Sequence, residues 1–339
     1  MRSIDQGTVR RQGFSDVPGC LAVTAGVCSL ALPFPPCDSA KMISRLFATP
    51  SVLLILTTLM WAMNAISGQL AVGEVTPYTL VLMRWVLVVA VMWPIYGRDV
   101  IKHWPVIKTR LWPVILMSIA GFTGFNTMFY VASIHTTGLN IGILQGSMPV
   151  VVMLGAFLIY GSKVTALQAV GVATTLVGVA IVASRGDAQV LLDLAFNNGD
   201  VIMLIAILFY CAYTLSLARR PDVPPIPLFT VFAVIALITA IPLAAWEFFQ
   251  ADYEPPTLQG WAVTVFVAIF PSCLSQIFFL RAIDMVGPSK AAVYTNLVPI
   301  FTAILAVLIL GETFALYHAL ALALVIGGIT MTQRGGKSA

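Results

Sequence analysis

Charge is what this sequence has least of. Of 339 residues, 9% are Asp, Glu, Lys or Arg and 59% are hydrophobic, and the mean hydropathy is +0.96. A soluble domain carries roughly 25% charged residues. This chain has too few to cover a water-facing surface, so lipid must solvate it. Histidine occurs three times, and the five cysteines at 20, 28, 37, 211 and 273 form no CxxC or Cys/His spacing. That pattern argues against a metal site and against a disulfide framework. The sequence offers no phosphate-binding loop, GxSxG, HExxH or carboxylate pair, so neither ATP hydrolysis nor other catalysis is expected, and no cofactor or ATPase subunit is implied. The net charge of +4 sits in short loops rather than on one face, which gives nucleic acid nothing to grip.

What is there is apolar and segmented. Ten runs read as membrane spans: 50–71, 76–96, 111–131, 138–160, 164–184, 199–218, 226–246, 259–281, 288–310 and 314–333. Their connections are short and rich in turn residues, as in "GEVTP", "RRPDVPP" and "ADYEPP". The expected fold is therefore an all-α integral membrane protein with ten transmembrane helices. Lys and Arg fix the expected orientation. With the N-terminus in the cytoplasm, cytoplasmic connections hold Lys41 and Arg45; Arg98, Lys102, Lys108 and Arg110; Lys163; Arg219 and Arg220; Arg281 and Lys290; Arg334 and Lys337. The other side holds Arg185 as its basic residue, among Glu74, Asp187, Asp193, Asp200, Glu247, Asp252, Glu254 and Glu312. Both termini are thus expected inside a multi-pass protein of the cell (inner) membrane. Residues 1–47 read as an extension, disordered or upstream of a native start at Met42. Leu21–Leu32 within it is too short for a span. Arg10 and Arg11 before it suit a signal peptide, but no clear cleavage site follows.

The chain is also doubled. "GSMPVVVMLGAFLIYGSKV" (146–164) aligns without a gap on "NLVPIFTAILAVLILGETF" (296–314) at an offset of 150, pairing Pro149 with Pro299, Ala156 with Ala306 and Gly161 with Gly311. Gly178 pairs with Gly328 at the same offset, while Trp61 with Tyr210 and Asn64 with Tyr213 need 149. The expected domains are two five-helix repeats, 48–185 and 199–334. Five is odd, so the second enters from the opposite side. That inverted-topology repeat belongs to many secondary transporters, which bind substrate at mid-depth between the halves.

Polar residues inside the spans mark candidate sites. Pro149 and Pro299 lie about ten residues into their spans, where each removes a donor and frees the carbonyls of Gln145 and Thr295. They shape either a plain kink or a gate beside a cavity. Asn126 pairs with Gln276 at offset 150, and Trp61 and Asn64 share one face, as do Tyr210 and Tyr213. Such groups are costly in hydrocarbon unless paired, so they face the interior, as interhelical glue or as cavity lining. Arg84 is the one charge well inside a span, about 10 Å from the acidic end. It suits the carboxylate or phosphate of a substrate, or a snorkelling or structurally paired role. No Asp or Glu lies equally deep. Glu312 reads as a capping residue at the start of the tenth span, and Gly138, Gly142 and Gly146 as a bare face for close helix approach.

These features resemble the drug/metabolite transporter superfamily in its EamA-type branch, over about residues 48–333. The likeness rests on the duplication, "WAMN" in the first span, Arg84 closing "TPYTLVLMR", "GDVIMLIAILFYCAYT" opening the second half, and "VPIFTAILAVLILGETF" before a glycine-containing last helix. "GSK" stands in the first half where the second has "GET", so Glu312 has no partner there. The resemblance implies export or exchange of small metabolites, often amino acids, by alternating access. The residues expected to line the cavity are Trp61, Asn64, Arg84, Asn126, Gln145, Tyr213, Gln276, Tyr294 and Asn296, with Pro149 and Pro299 shaping it. The expected partners are a small polar substrate, amino-acid-like, and the bilayer. A phosphorylated-metabolite or nucleotide-sugar exchanger would need more cations than Arg84; a channel and a lipid enzyme are further alternatives.

Overall fold

In lipid every backbone polar group must be satisfied within the chain, and helices do this locally. The computed structural model describes residues 49–161, 164–187, 189, 196–251 and 253–335, with the backbone alone at 288 and 289. The 1–47 extension and the loop residues Ser162, Lys163, Asp193, Asp252 and Lys337 lie outside the described residues. Among the described residues fourteen α-helices form in order: α1 Pro50–Leu70, α2 Pro77–Ile107, α3 Leu111–Ser118, α4 Phe125–His135, α5 Gly138–Gly146, α6 Met148–Tyr160, α7 Ala166–Ala183, α8 Asn198–Ser216, α9 Pro225–Phe248, α10 Leu258–Val267, α11 Ser275–Val286, α12 Pro288–Tyr294, α13 Leu297–Leu310 and α14 Leu316–Gly335. π-helical turns, Ile119–Gly124 and Ala268–Leu274, join α3 to α4 and α10 to α11.

Among the described residues nine helical stretches are long and apolar enough to cross a membrane. One of them, Pro77–His135, is 59 residues long and carries both the second and the third expected segments. Straight, it would be about 90 Å, three times the hydrocarbon core. It breaks at Arg110, whose φ of −128° and ψ of 33° leave the helical region. The expected loop after residue 96 is instead helical to Ile107, despite Pro94 and Pro105 within it. That extension is largely exposed and carries Arg98, Asp99, Lys102 and His103.

Local rules place the ends. Proline, which lacks the donor that a first turn cannot use, opens α1, α2, α6 and α9. Thr165 and Gln168 form a reciprocal capping box at α7. At the equivalent place in the second half, His318 Nδ1 accepts the Ala315 N–H at 3.0 Å, so this histidine is a back-cap. Gly161 and Gly311 end α6 and α13 in the left-handed region, with φ of 64° and 66°.

The packing repeats as the sequence does. α1 packs on α11 and α13, and its counterpart α8 packs on α4 and α6. α2 pairs with its own counterpart α9, and α7 with α14. Exchanging the halves therefore maps these contacts onto themselves. The glycine stripe of α5 is covered by other helices, because a Cβ at Gly142 would lie 2.5 Å from the Thr302 methyl of α13 and one at Gly146 would lie 2.7 Å from Val325 of α14. At the α7–α14 seam a Cβ on Gly328 would stand 2.2 Å from Thr175 Oγ1 and 2.5 Å from the Gly171 carbonyl. Backbone cannot yield as a side chain can. Gly328→Val is therefore expected to force the two helices apart and lower stability by about 1–3 kcal/mol or more, read as a loss of thermal stability in detergent.

Candidate functional site

The prolines divide the helices in both halves. Ser147 interrupts α5 and α6, and Thr295 and Asn296 interrupt α12 and α13, so Pro149 and Pro299 sit in the first turn of a new helix. The carbonyl of Thr295 is not left open: the Val298 N–H reaches it at 3.1 Å. The Gln145 carbonyl is likewise reached, by the Ser147 N–H, while its side-chain Oε1 is buried and without a partner among the described residues.

The π-turns sit 150 residues apart and face the site. A π-turn leaves carbonyls offset from the normal ladder. Asn126 Nδ2 donates to the Phe122 carbonyl at 2.6 Å. In the second half Ser272 Oγ donates to the Val267 carbonyl at 2.5 Å and Ser275 Oγ to the Pro271 carbonyl at 2.7 Å. Each turn thus fixes a polar side chain at mid-depth.

Arg84 of α2 joins them. Its Nε donates to Ser272 Oγ at 2.7 Å, and its Nη1 to Asn126 Oδ1 at 2.8 Å, to the Tyr130 hydroxyl at 2.7 Å and, more weakly, to Asn64 Oδ1 at 3.4 Å. The Tyr130 hydroxyl donates in turn to Asn64 Oδ1 at 3.0 Å. All five residues are buried, between 2% and 7% exposed. The guanidinium also lies over the rings of Trp85 and Tyr130, at 5.5 and 5.9 Å. Each hydrogen-bond partner is neutral; no carboxylate balances this cation among the described residues. One helical turn further along α1 and α11, Trp61 Nε1 donates to Ser275 Oγ at 3.1 Å and its ring packs on Phe279 at 5.1 Å.

The structure thus brings Asn64, Arg84 and Asn126 into one network, with Trp61 beside it. Ser272 and Tyr130 complete it. Sequence reasoning missed Ser272 as a member, because nothing in "FPSCLSQ" announces a π-turn. Tyr213 belongs to an aromatic cluster with Phe122 and Phe232, at centroid distances of 5.2 and 6.0 Å, which reaches Arg84 through Trp85. At the repeat offsets Tyr213 answers to Asn64 and Phe122 to Ser272. One half has a polar centre where the other has an aromatic one. Gln276 is partly exposed and makes no side-chain hydrogen bond among the described residues. Tyr294 and Asn296 lie elsewhere. The Tyr294 hydroxyl bonds Ser51 at 2.8 Å, about 20 Å along α1 from Asn64. Asn296 bonds Gln333 of α14 at 3.3 Å.

The acidic side is tied across the halves. Glu247, at the end of α9, accepts from Thr76 Oγ1 at 2.6 Å, Thr79 N–H at 2.7 Å, Thr79 Oγ1 at 2.9 Å and Tyr78 N–H at 3.2 Å, capping α2. Glu312 accepts from the Gly138 and Leu139 N–H groups at 2.7 and 2.9 Å. It is a cap as expected, but of α5 in the other half rather than of the last helix. Asp200 is fully buried and accepts from Thr136 Oγ1 at 2.5 Å and Asn140 Nδ2 at 3.3 Å. Sequence reading left it as a loop acid. On this side a cleft of about 190 Å³ opens between Gly73, Glu74, Thr76, Ile134 and Glu254. A second, smaller cavity of about 10 Å³, little more than one water, lies between Gly68, Leu80 and Tyr130 and shares Val75 and Ile134 as walls with the first.

A duplicated bundle of apolar helices with a buried cation inside it defines a class, the polytopic membrane transporters built from repeats. The EamA-like transporter family model matches residues 49–184 and 197–334, and the chain belongs to that family. It is similar to the uncharacterized transporter YyaM of Bacillus subtilis (strain 168), 26% identical over 63% of this chain and 70% of that protein. An uncharacterized transporter of Archaeoglobus fulgidus is 25% identical over 83% of this chain and 96% of its own length. A crystal structure, 18% identical, shares the fold with a TM-score of 0.57 over 84% of this chain and 97% of its own. The protein is thus a multi-pass membrane transporter of the EamA type.

Proposed function

We propose that this transporter is a secondary carrier that moves a small carboxylate-bearing metabolite, the class that includes amino acids, by alternating access. It is an exporter or exchanger of the inner membrane. Its ten spans form two inverted five-helix repeats with both termini in the cytoplasm; the pattern of basic loops and the break at Arg110 support that count and orientation. The carrying observation is Arg84, a buried cation at mid-depth held by Asn64, Asn126, Tyr130 and Ser272 without a carboxylate. An ion in hydrocarbon is retained where a ligand uses it. Asn64, Arg84, Asn126 and Trp61 form the centre of the proposed site, Tyr213, Gln145 and Gln276 its flanks, and Pro149 and Pro299 the bends that let the halves rock. Tyr294 and Asn296 act at the far end, where α13 meets α1 and α14. Counterflow tests the reading. Purified protein in liposomes preloaded with an unlabelled carboxylate should take up its labelled form saturably, and only when the internal pool is present. Non-saturating flux without exchange would make it a channel.

A further inference from the structure

Arg84 has one uncommitted edge. The hydrogen bonds of its side chain use Nε and Nη1, and Nη2 makes none among the described residues. Nη2 is thus the edge of the guanidinium to which the described residues offer no acceptor.

Among the described residues no carboxylate is bonded to Arg84. Glu247 is held by the start of α2, Glu312 by the start of α5, Asp200 by Thr136 and Asn140, Glu74 by the Thr257 hydroxyl and Asp187 by the Gln189 N–H, while Glu254 lines the outer cleft. Glu247 holds Thr79, five residues before Arg84, about 8 Å along the axis. The ammonium of an α-amino acid is attached to the carbon next to its carboxylate. Bound at Arg84 it would lie among Asn64, Asn126, Tyr130, Ser272 and Trp85, with no anion to meet it. The acceptor oxygens of Asn64 and Asn126 already face Arg84. Beyond them the walls are aromatic, with Trp61 on Phe279 and Trp85 on Phe122.

Resting on the carrier reading above, we propose that the transported species is a small monocarboxylate of net charge −1 with an uncharged substituent, such as a 2-hydroxy or 2-oxo acid, rather than a zwitterion or a phosphate dianion. One buried cation and no anion match one negative charge. A zwitterion adds an unpaired positive charge, and a dianion an unpaired negative one, in surroundings where an unpaired ion is expensive.

Matched skeletons test this. The full chain in proteoliposomes is given lactate, alanine and phosphoglycolate, then phenyllactate and phenylalanine, in counterflow at pH 7. The hydroxy acid of each pair should exchange at least about ten-fold faster than its amino acid, since an unpaired buried charge is worth more than one decade. Alanine or phenylalanine at an equal or higher rate overturns the charge inference and leaves Arg84 as a carboxylate site. Phosphoglycolate as the fastest overturns it in favour of a phosphate exchanger. No exchange of any of the five, by protein that is monodisperse and melts cooperatively, overturns both this inference and the carrier reading. A second variant guards against misfolding of Arg84 substitutions. Asn126→Asp supplies the missing anion at the 2.8 Å contact. It gives up the bond from Nδ2 to the Phe122 carbonyl in exchange for an ion pair with Arg84. In protein that still melts cooperatively it should lose monocarboxylate exchange by ten-fold or more; unchanged exchange sinks the proposal.

Discussion

Arg84→Ala is expected to abolish carboxylate exchange, by about a hundred-fold or more, while the protein still reaches the membrane. Truncating one member of a buried, hydrogen-bonded charged contact typically costs 2–5 kcal/mol of binding, about 30- to 4,000-fold. The same change removes a bolt. Arg84 connects α1, α2 and α4 of the first half to the π-turn of the second, through Asn64, Asn126, Tyr130 and Ser272. Without it, Asn126 Oδ1 loses its donor, and a buried unsatisfied acceptor costs about 1–3 kcal/mol. Asn64 keeps the Tyr130 hydroxyl. A lowered melting temperature should therefore accompany the lost exchange. Arg84→Lys retains the charge but not the planar fork that spans Ser272 and Asn126 together, so it should recover stability better than transport. Exchange at the wild-type rate in Arg84→Ala would remove this residue from the site.

The second large effect is structural. Glu247→Ala is expected to destabilise the protein by about 3 kcal/mol, more than an ordinary helix cap, whose loss costs roughly 0.5–2 kcal/mol. One carboxylate serves two N–H groups and two hydroxyls at the start of α2, and Thr76, the N-cap residue, makes no side-chain cap bond of its own. The positive end of α2 is thus capped by the other half of the molecule. Glu247→Gln keeps the acceptor oxygen but not the charge and should lie between the two. Thermal unfolding in detergent, followed for the three proteins side by side, reads the order; an alanine variant as stable as wild type would show the cap to be idle.

Much of this was legible in the sequence because lipid simplifies the problem. Hydrophobic runs long enough to span gave the helices, and proline and glycine gave several of their ends. The doubled segment has its counterpart in the packing, where α1 lies on α11 and α13 as α8 lies on α4 and α6. Asn64, Arg84 and Asn126 stood out because amides and a guanidinium are expensive in hydrocarbon. What could not be read is whatever depends on a partner far along the chain. Ser272 is a small residue whose place follows from a π-turn around Pro271. Asp200 and Glu247 look like loop acids, and Glu312 like a cap of its own last helix, until the halves meet, because their partners lie between 60 and 174 residues away. The run of helix to Ile107 was not legible because its apolar pattern ends near residue 96, and an exposed helix bearing Arg98, Asp99, Lys102 and His103 carries no span signal.

The two π-turns also show where the halves part company. They occupy equivalent places in both halves, 119–124 and 268–274, and so do the left-handed glycines at 161 and 311. Arg84 has Ala233 at offset 149 and Val234 at offset 150, and Ser272 answers to Phe122. The irregular backbone is common to both halves, whereas the charge and its polar partners lie on one side of the pseudo-symmetry and the aromatic rings on the other.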